Sequence, residues 1–318
     1  MALLCATLSG AQASYELALI YDSSSRSILR YDPIAGMSLG FFGRPYAGIF
    51  GNPHLLSLDP TRPGEVLTMD VTGTVRSINY STGLMKGVWH ASTVGIFPST
   101  FRAHSDGTFL RGTINGDYGV YTKDSTSPLV SLQTYAGFTT VDAVRMEDGS
   151  FVSLERWNNG SGWSYDLFRR SSDGVFTEQR IEIMSTTAHS RASLLVQQGK
   201  LYAVTQNIGS ISTAGFMVDP SDGSLGSQFT LGFGLIPDTT GITNLASGHD
   251  GSAYFIQNGT GGTRLMNGTV DQDYFSPTYT LPSGVLANSM VVVIAPEPAS
   301  MLALAGGLAV ILRRRRAK

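Results

Sequence analysis

The 318 residues carry 22 Lys and Arg against 24 Asp and Glu, a net charge of −2, with only 14% charged residues and 37 glycines. Soluble domains usually run at about a quarter charged, so this composition argues against charged amphipathic helices and for short strands joined by tight turns. Cys5 is the only cysteine, which excludes a disulfide framework and a cysteine-rich metal site.

Residues 1–10 are small and apolar, and Ala11-Gln12-Ala13 has the small-x-small form that signal peptidase accepts. The reading is a signal peptide over 1–13, cut before Ser14, with Ala11 and Ala13 as the cleavage determinants. No basic residue precedes the apolar stretch, so the natural start is expected to lie upstream. Cys5 would leave with this segment.

From Ser14 to residue 295 the chain repeats. A strand ending in a turn and a glycine recurs at 28–36, 75–83, 167–174, 216–223 and, more degenerately, 264–268, with a glycine-free copy at 120–127. The turn ends fall at 36, 83, 127, 174, 223 and 268, giving spacings of 47, 44, 47, 49 and 45. A second element interleaves with it, a turn glycine followed by an alternating strand, at 64–69, 106–110, 148–154, 199–204 and 250–256. Asp-Gly turns such as Asp106-Gly107 and Asp148-Gly149 suit tight hairpins. Two hairpins per period of about 47 residues predict an all-β, six-bladed β-propeller of four-stranded blades. The run 15–20 reads as a second strand with no first strand before it. The β-branched run 289–294 supplies the missing partner, so a C-terminal strand is expected to become the innermost strand of the N-terminal blade. The arrangement is similar to six-bladed lactonase-like and NHL-type propellers, although none of their complete motifs is present.

Chemistry-bearing patterns are sparse. His54, His90, His104, His189 and His249 show no metal-binding spacing. His54 and His189 each stand ten residues before a turn glycine, Gly64 and Gly199, so they are candidate channel residues in opposed blades. His104 and His249 adjoin Asp-Gly turns and are expected at the surface. No metal site and no cofactor is called for. Lactonase-like propellers use calcium, and Glu16, Asn52, Asn115, Asn207 and Asn244 are the oxygen donors that could serve it if they face the axis. Asp219 with Asp222, and Asp271 with Asp273, read as turn acids. No nucleophile elbow or phosphate-binding glycine loop occurs, and no catalytic residue is assigned. Trp157 and Trp163 flank the glycine-rich stretch 158–162 and are candidate ligand-loop aromatics, with Trp89 the third tryptophan, although packing of at least two of the three between blades is the preferred reading.

The chain ends in Pro296-Glu297-Pro298, an apolar run over 299–312 and Arg313-Arg314-Arg315-Arg316-Ala317-Lys318. Fourteen apolar residues span about 21 Å as a helix, just short of a usual transmembrane length, and arginines that snorkel make up the difference. A basic block after an apolar run is expected on the cytoplasmic side, with the preceding body across the membrane. The tail holds five basic residues and Glu297. The body therefore keeps 17 basic and 23 acidic residues, a net of −6, which argues against nucleic-acid partners.

Pro296, Glu297, Pro298, the Gly306-Gly307 helix and Arg313 to Arg316, in that order, resemble the PEP-CTERM sorting signal of Gram-negative bacteria. The resemblance covers residues 296–318 and implies recognition by an exosortase, transient anchoring in the inner membrane by the C-terminal helix, and delivery to the cell surface or exopolysaccharide matrix. The implied partners are an exosortase-type enzyme and signal peptidase, with exopolysaccharide or a surface protein as ligand. Two function classes stay open. One is a non-enzymatic surface or matrix scaffold, the favoured reading because no constellation carries catalysis. The other is a secreted propeller hydrolase or lyase with its site in the channel mouth.

Overall fold

The structure is a computed structural model that describes residues 14–42, 53–92, 98–113, 115–186, 190–197, 199–207, 213–219, 225–231, 242–248, 251–259, 262–269, 275–285 and 287–296. It is an all-β, six-bladed propeller of four-stranded antiparallel sheets, with no helix among the described residues.

The first blade contains β1 (Ser14–Asp22), β2 (Ser27–Asp32) and β3 (Met37–Phe42). The second holds β4 (Pro53–Leu58), β5 (Glu65–Asp70), β6 (Val75–Asn79) and β7 (Met85–His90), and the third β8 (Pro98–Ala103), β9 (Thr108–Thr113), β10 (Tyr118–Thr122) and β11 (Val130–Leu132). The fourth is β12 (Phe138–Arg145), β13 (Phe151–Asn158), β14 (Trp163–Arg170) and β15 (Phe176–Thr186). The fifth is β16 (Ser190–Gln197), β17 (Lys200–Asn207), β18 (Thr213–Val218) and β19 (Leu225–Leu231). The sixth is β20 (Ile242–Ser247), β21 (Ser252–Gly259), β22 (Gly262–Thr269) and β23 (Phe275–Thr280). The last strand, β24 (Ala287–Pro296), lies beside β1 in the first sheet, antiparallel, with Ser14 opposite Pro296 and Ile20 opposite Met290.

The two repeated elements of the sequence are the second and third strands of the blades, and the turns explain their regularity. In the β8–β9 connection Gly107 N–H donates to the His104 carbonyl at 3.1 Å, and Asp106 Oδ1 accepts from the Thr108 amide at 2.9 Å and hydroxyl at 2.6 Å. The β12–β13 turn repeats this with Met146, Gly149, Asp148 and Ser150. Both glycines sit near φ +80°, where a side chain is disfavoured. After the third strands the turn is one residue longer: Gly36 donates to the Asp32 carbonyl and Gly83 to the Asn79 carbonyl, while each Asp or Asn side chain caps two amides inside the turn. The degenerate copy departs from the pattern. Gly268 lies inside β22 opposite Phe275, not at a turn.

The described cores lie between neighbouring sheets, so a sheet covered on both sides is apolar on both faces. Along β1, Leu17, Leu19 and Tyr21 pack with Leu56, Val66 and Ile78 of the second blade, while Ala18 and Ile20 pack with Tyr254, Ile256 and Leu265 of the sixth. Strand alternation thus splits one continuous apolar run between two cores. Similar cores join the second blade to the third through Met69, Phe101 and Phe109, and the fourth to the fifth through Leu154, Leu167, Leu194 and Leu201.

Candidate functional site

Binding and catalysis in a propeller are expected at the axis and on the loops that its rigid blades display. The axial strands are β24, β4, β8, β12, β16 and β20, one from each sheet, and they contact one another in a cycle. Small polar side chains tie several of them to the next. Ser289 Oγ accepts from the Leu56 amide at 2.8 Å, Ser57 Oγ from the Ala103 amide at 2.9 Å, and Asp142 Oδ2 from the Leu194 amide at 2.9 Å. Ser247 Oγ donates to the Val196 carbonyl at 2.6 Å.

The densest polar cluster centres on Asp142, which is buried at the register shift between Thr140 and Asp142 in β12. Its carboxylate also accepts from Thr100 Oγ1 at 3.1 Å, Arg102 Nη2 at 2.8 Å, Ser193 Oγ at 3.0 Å and the Ala143 amide at 2.9 Å. Arg102 Nη2 also donates to the Leu194 carbonyl at 2.9 Å, so one guanidinium from the third blade reaches the fifth past the fourth. Five donors fill the roughly four lone-pair positions of a carboxylate, so this one side chain is fully engaged by its neighbours. It acts as a bolt between blades. Tyr118 stands behind it, fully buried, its hydroxyl donating to the Val141 carbonyl at 2.8 Å and sharing bonds with Ser99 and Thr100. Burial, reinforced by the Asp142 charge, pushes the Tyr118 phenol above its usual range.

A second ionic cluster joins the third and fourth blades. Arg170 and Glu155 form an ion pair with both side chains fully buried. Arg170 Nε and Nη2 donate to the Gln133 carbonyl at 2.9 and 2.8 Å, Nη1 to Ser153 Oγ, and the guanidinium lies 4.3 Å from the centre of the Phe176 ring. Glu155 accepts from Ser153 at 3.1 Å through Oε1, while its Oε2 is buried with no hydrogen-bond partner. Around the pair stand Tyr135, Phe138, Phe168 and Phe176, with ring centres 5.4 to 5.9 Å apart.

The sequence-derived candidates distribute otherwise. His54 lies in the axial strand β4, and His189 is outside the described residues. Pro296 ends β24, while Glu297, Pro298, Arg313, Arg314, Arg315, Arg316, Ala11 and Ala13 are outside the described residues. No described helix is long and apolar enough to cross a membrane, and the expected C-terminal helix lies beyond the described residues. Trp157 and Trp163 are in strands, at the two ends of the turn and not within it. Trp157 sits over Phe138 at 5.7 Å, whereas Trp163 packs on the opposite face against the core shared with the fifth blade, under the Arg156 guanidinium at 4.4 Å. They form no common platform. Glu16 does not face the axis, because it belongs to the second strand of its sheet and accepts from Tyr254 of the sixth blade. Asn115 is in the exposed β9–β10 turn. Among the described residues no group of three His, Cys, Asp or Glu side chains could hold a metal ion.

His104 is half-buried, not at the surface. Burial, then the Arg145 charge, bring its pKa down to about 4, against the opposing pull of Asp106. Burial acts to raise Asp106, but hydrogen bonds from Thr108 and the Arg145 guanidinium at 2.5 Å outweigh it and hold the carboxyl at about 2.

The ionic clusters escaped sequence reasoning. Their one signal was an Asp inside the apolar strand Thr140-Val141-Asp142-Ala143-Val144, where an unpaired charge would be too costly to bury.

No family model and no curated protein matches the chain. Its likeness is to solved structures, of which 1023 chains match, so what is shared is an architecture common to many proteins. One is a chain in the crystal structure of a nidogen/laminin complex, 11% identical, with a TM-score of 0.59 over 87% of this chain and 98% of that one. At that identity the likeness is one of fold alone.

Proposed function

We propose that this is an exported surface or matrix protein, sorted by an exosortase-type system, whose propeller is a non-enzymatic scaffold for a polysaccharide or protein ligand. The observation that carries the reading is the pairing of Ser14 with Pro296. The proposed signal-peptide junction and the first residue of the sorting motif are neighbours at one end of the two innermost strands of the first blade. Both address labels can then be removed at a single spot on the body. In this reading β24 is also the clasp that closes the ring, holding the first blade to the last through nine residue pairs with β1.

The scaffold role is supported by what the axis offers. Asp142 spends its carboxylate on five donors from three blades, which suits rigidity better than proton transfer. A propeller chain found in a nidogen/laminin complex supports a protein as one kind of partner.

The test is to replace Pro298 together with Arg313 to Arg316 in a host that carries an exosortase. Protease accessibility on whole cells and the mass of the mature chain are then measured. Loss of surface exposure with retention of the tail is expected; unchanged delivery and unchanged processing would end the sorting assignment.

A further inference from the structure

An open groove of about 210 Å³ lies on the outer side of the second blade, lined by Arg62, Ser77, Lys86, Gly87, Val88, Trp89, Lys123 and Asp124. Arg62 belongs to the β4–β5 turn, the residues from Lys86 to Trp89 to the outermost strand β7, and Lys123 and Asp124 to the turn that follows β10 in the third blade. Three cations and one carboxylate thus face a common space in a body whose net charge is −6. Arg62 is offset by Asp59 at 3.9 Å and Glu65 at 3.5 Å, whereas Lys86 and Lys123 form no ion pair among the described residues. Both lysines are exposed.

The floor and wall are as informative as the charges. Gly87 sits at φ +137°, and a Cβ there would meet nothing within 4 Å, so the floor of the groove is bare backbone. Beside it Val88 is 59% exposed, and the half-buried Trp89 packs on Phe109 with ring centres 5.4 Å apart and also lines the groove. An indole held against a core offers its accessible apolar surface without further ordering cost. Two uncompensated ammonium groups lie beside that surface, and Asp124 can accept hydroxyl hydrogen bonds.

We propose that this groove binds an acidic polysaccharide, with a pyranose ring against Trp89, uronate carboxylates on Lys86 and Lys123, and ring hydroxyls on Asp124. The assignment rests on the scaffold reading above and names the ligand class of one surface of it. Single exposed ion pairs are weak, so the ligand is a polymer whose repeat presents carboxylates in succession and gains by multivalency. Nucleic acid is the less fitting polyanion, since it demands a wide basic face that a body of −6 does not supply.

The experiment is affinity electrophoresis of the purified full-length chain in gels containing polygalacturonate, dextran or poly-L-glutamate, with single-stranded DNA as a further polyanion. Retardation by polygalacturonate alone is expected, and K86E/K123E should weaken it about tenfold with the melting temperature unchanged. Equal retardation by poly-L-glutamate or DNA would overturn the sugar assignment, and retardation unaffected by K86E/K123E would overturn the groove. Absence of retardation by polygalacturonate overturns the proposal as well. None of these results touches surface delivery, which the tail variants read separately.

Discussion

The seam between the first and second blades and the seam between the third and fourth solve one packing problem with opposite chemistry. The former centres on an apolar core, built from Leu17, Leu19, Tyr21 and Ile28 against Leu56, Val66 and Ile78, with the Ser289 hydroxyl accepting from the Leu56 amide at its axial end. The latter carries an apolar half, with Leu110, Leu132 and Phe151, beside a fully buried guanidinium and carboxylate. Apolar faces of similar shape can be exchanged with little loss, whereas a buried Arg170 accepts only a neighbour that brings the Gln133 carbonyl. The comparison teaches that burial supplies the stability of the ring, while the few buried charges fix which blade stands next to which and in what register. That division is a hypothesis, and it can be broken.

The largest effect is expected from Glu155→Ala, which leaves Arg170 charged, buried and unpaired and should cost about 3–5 kcal/mol in urea unfolding. The double change of Glu155→Leu with Arg170→Met should recover most of that loss. If it does not, the pair contributes stability and not merely specificity. Next comes Leu19→Ala in the apolar seam, with a loss of about 2–5 kcal/mol set by how far the cavity collapses. Asp142→Asn should cost roughly 1.5–3 kcal/mol, because Arg102 loses a charged acceptor and, with an NH2 in place of one oxygen, one of the two backbone amides, Ala143 on Oδ1 or Leu194 on Oδ2, loses its acceptor.

The pH dependence is smaller and has a defined window. The folded chain holds His104 at about 4, below its ordinary 6.5, so the unfolded chain takes up the proton first. The stability this group contributes is complete above about pH 6.5 and falls as the pH drops towards 4. Between those limits the wild type should lose more melting temperature than His104→Gln. Equal losses in the two chains would remove His104 from the account. The smallest effect is expected at Arg169→Ala. Its ion pair with Asp148 is 2.9 Å long, but the aspartate side chain is 56% exposed, so a change of about 0–1 kcal/mol should be seen.

The blade architecture was legible because its second and third strands end in turns whose glycines and capping Asp or Asn residues recur at near-constant spacing. The outer strands were not legible. Met37, Phe41 and Val88 are large apolar side chains left exposed on β3 and β7, so the alternation that marks a half-buried strand is missing there. The polar clusters were hidden for a different reason. Arg102 meets Asp142 across 40 residues and Arg170 meets Gln133 across 37, so each pair lies in different blades and no local pattern links its members. Trp157 and Trp163 stand one residue out of step across the β13–β14 hairpin, which in strands is enough to send them to opposite faces.

The partnership of β1 with β24 also sets a timetable. The segment that completes the first sheet is made 282 positions after the residue it faces at the far end. During synthesis the N-terminal sheet must wait, three strands wide, while five complete sheets form behind it. Joining such distant segments carries a high loop-closure cost, which makes the final docking a slow step. A chain that lacks β24 would therefore keep β1 as the unpaired inner edge of its first sheet.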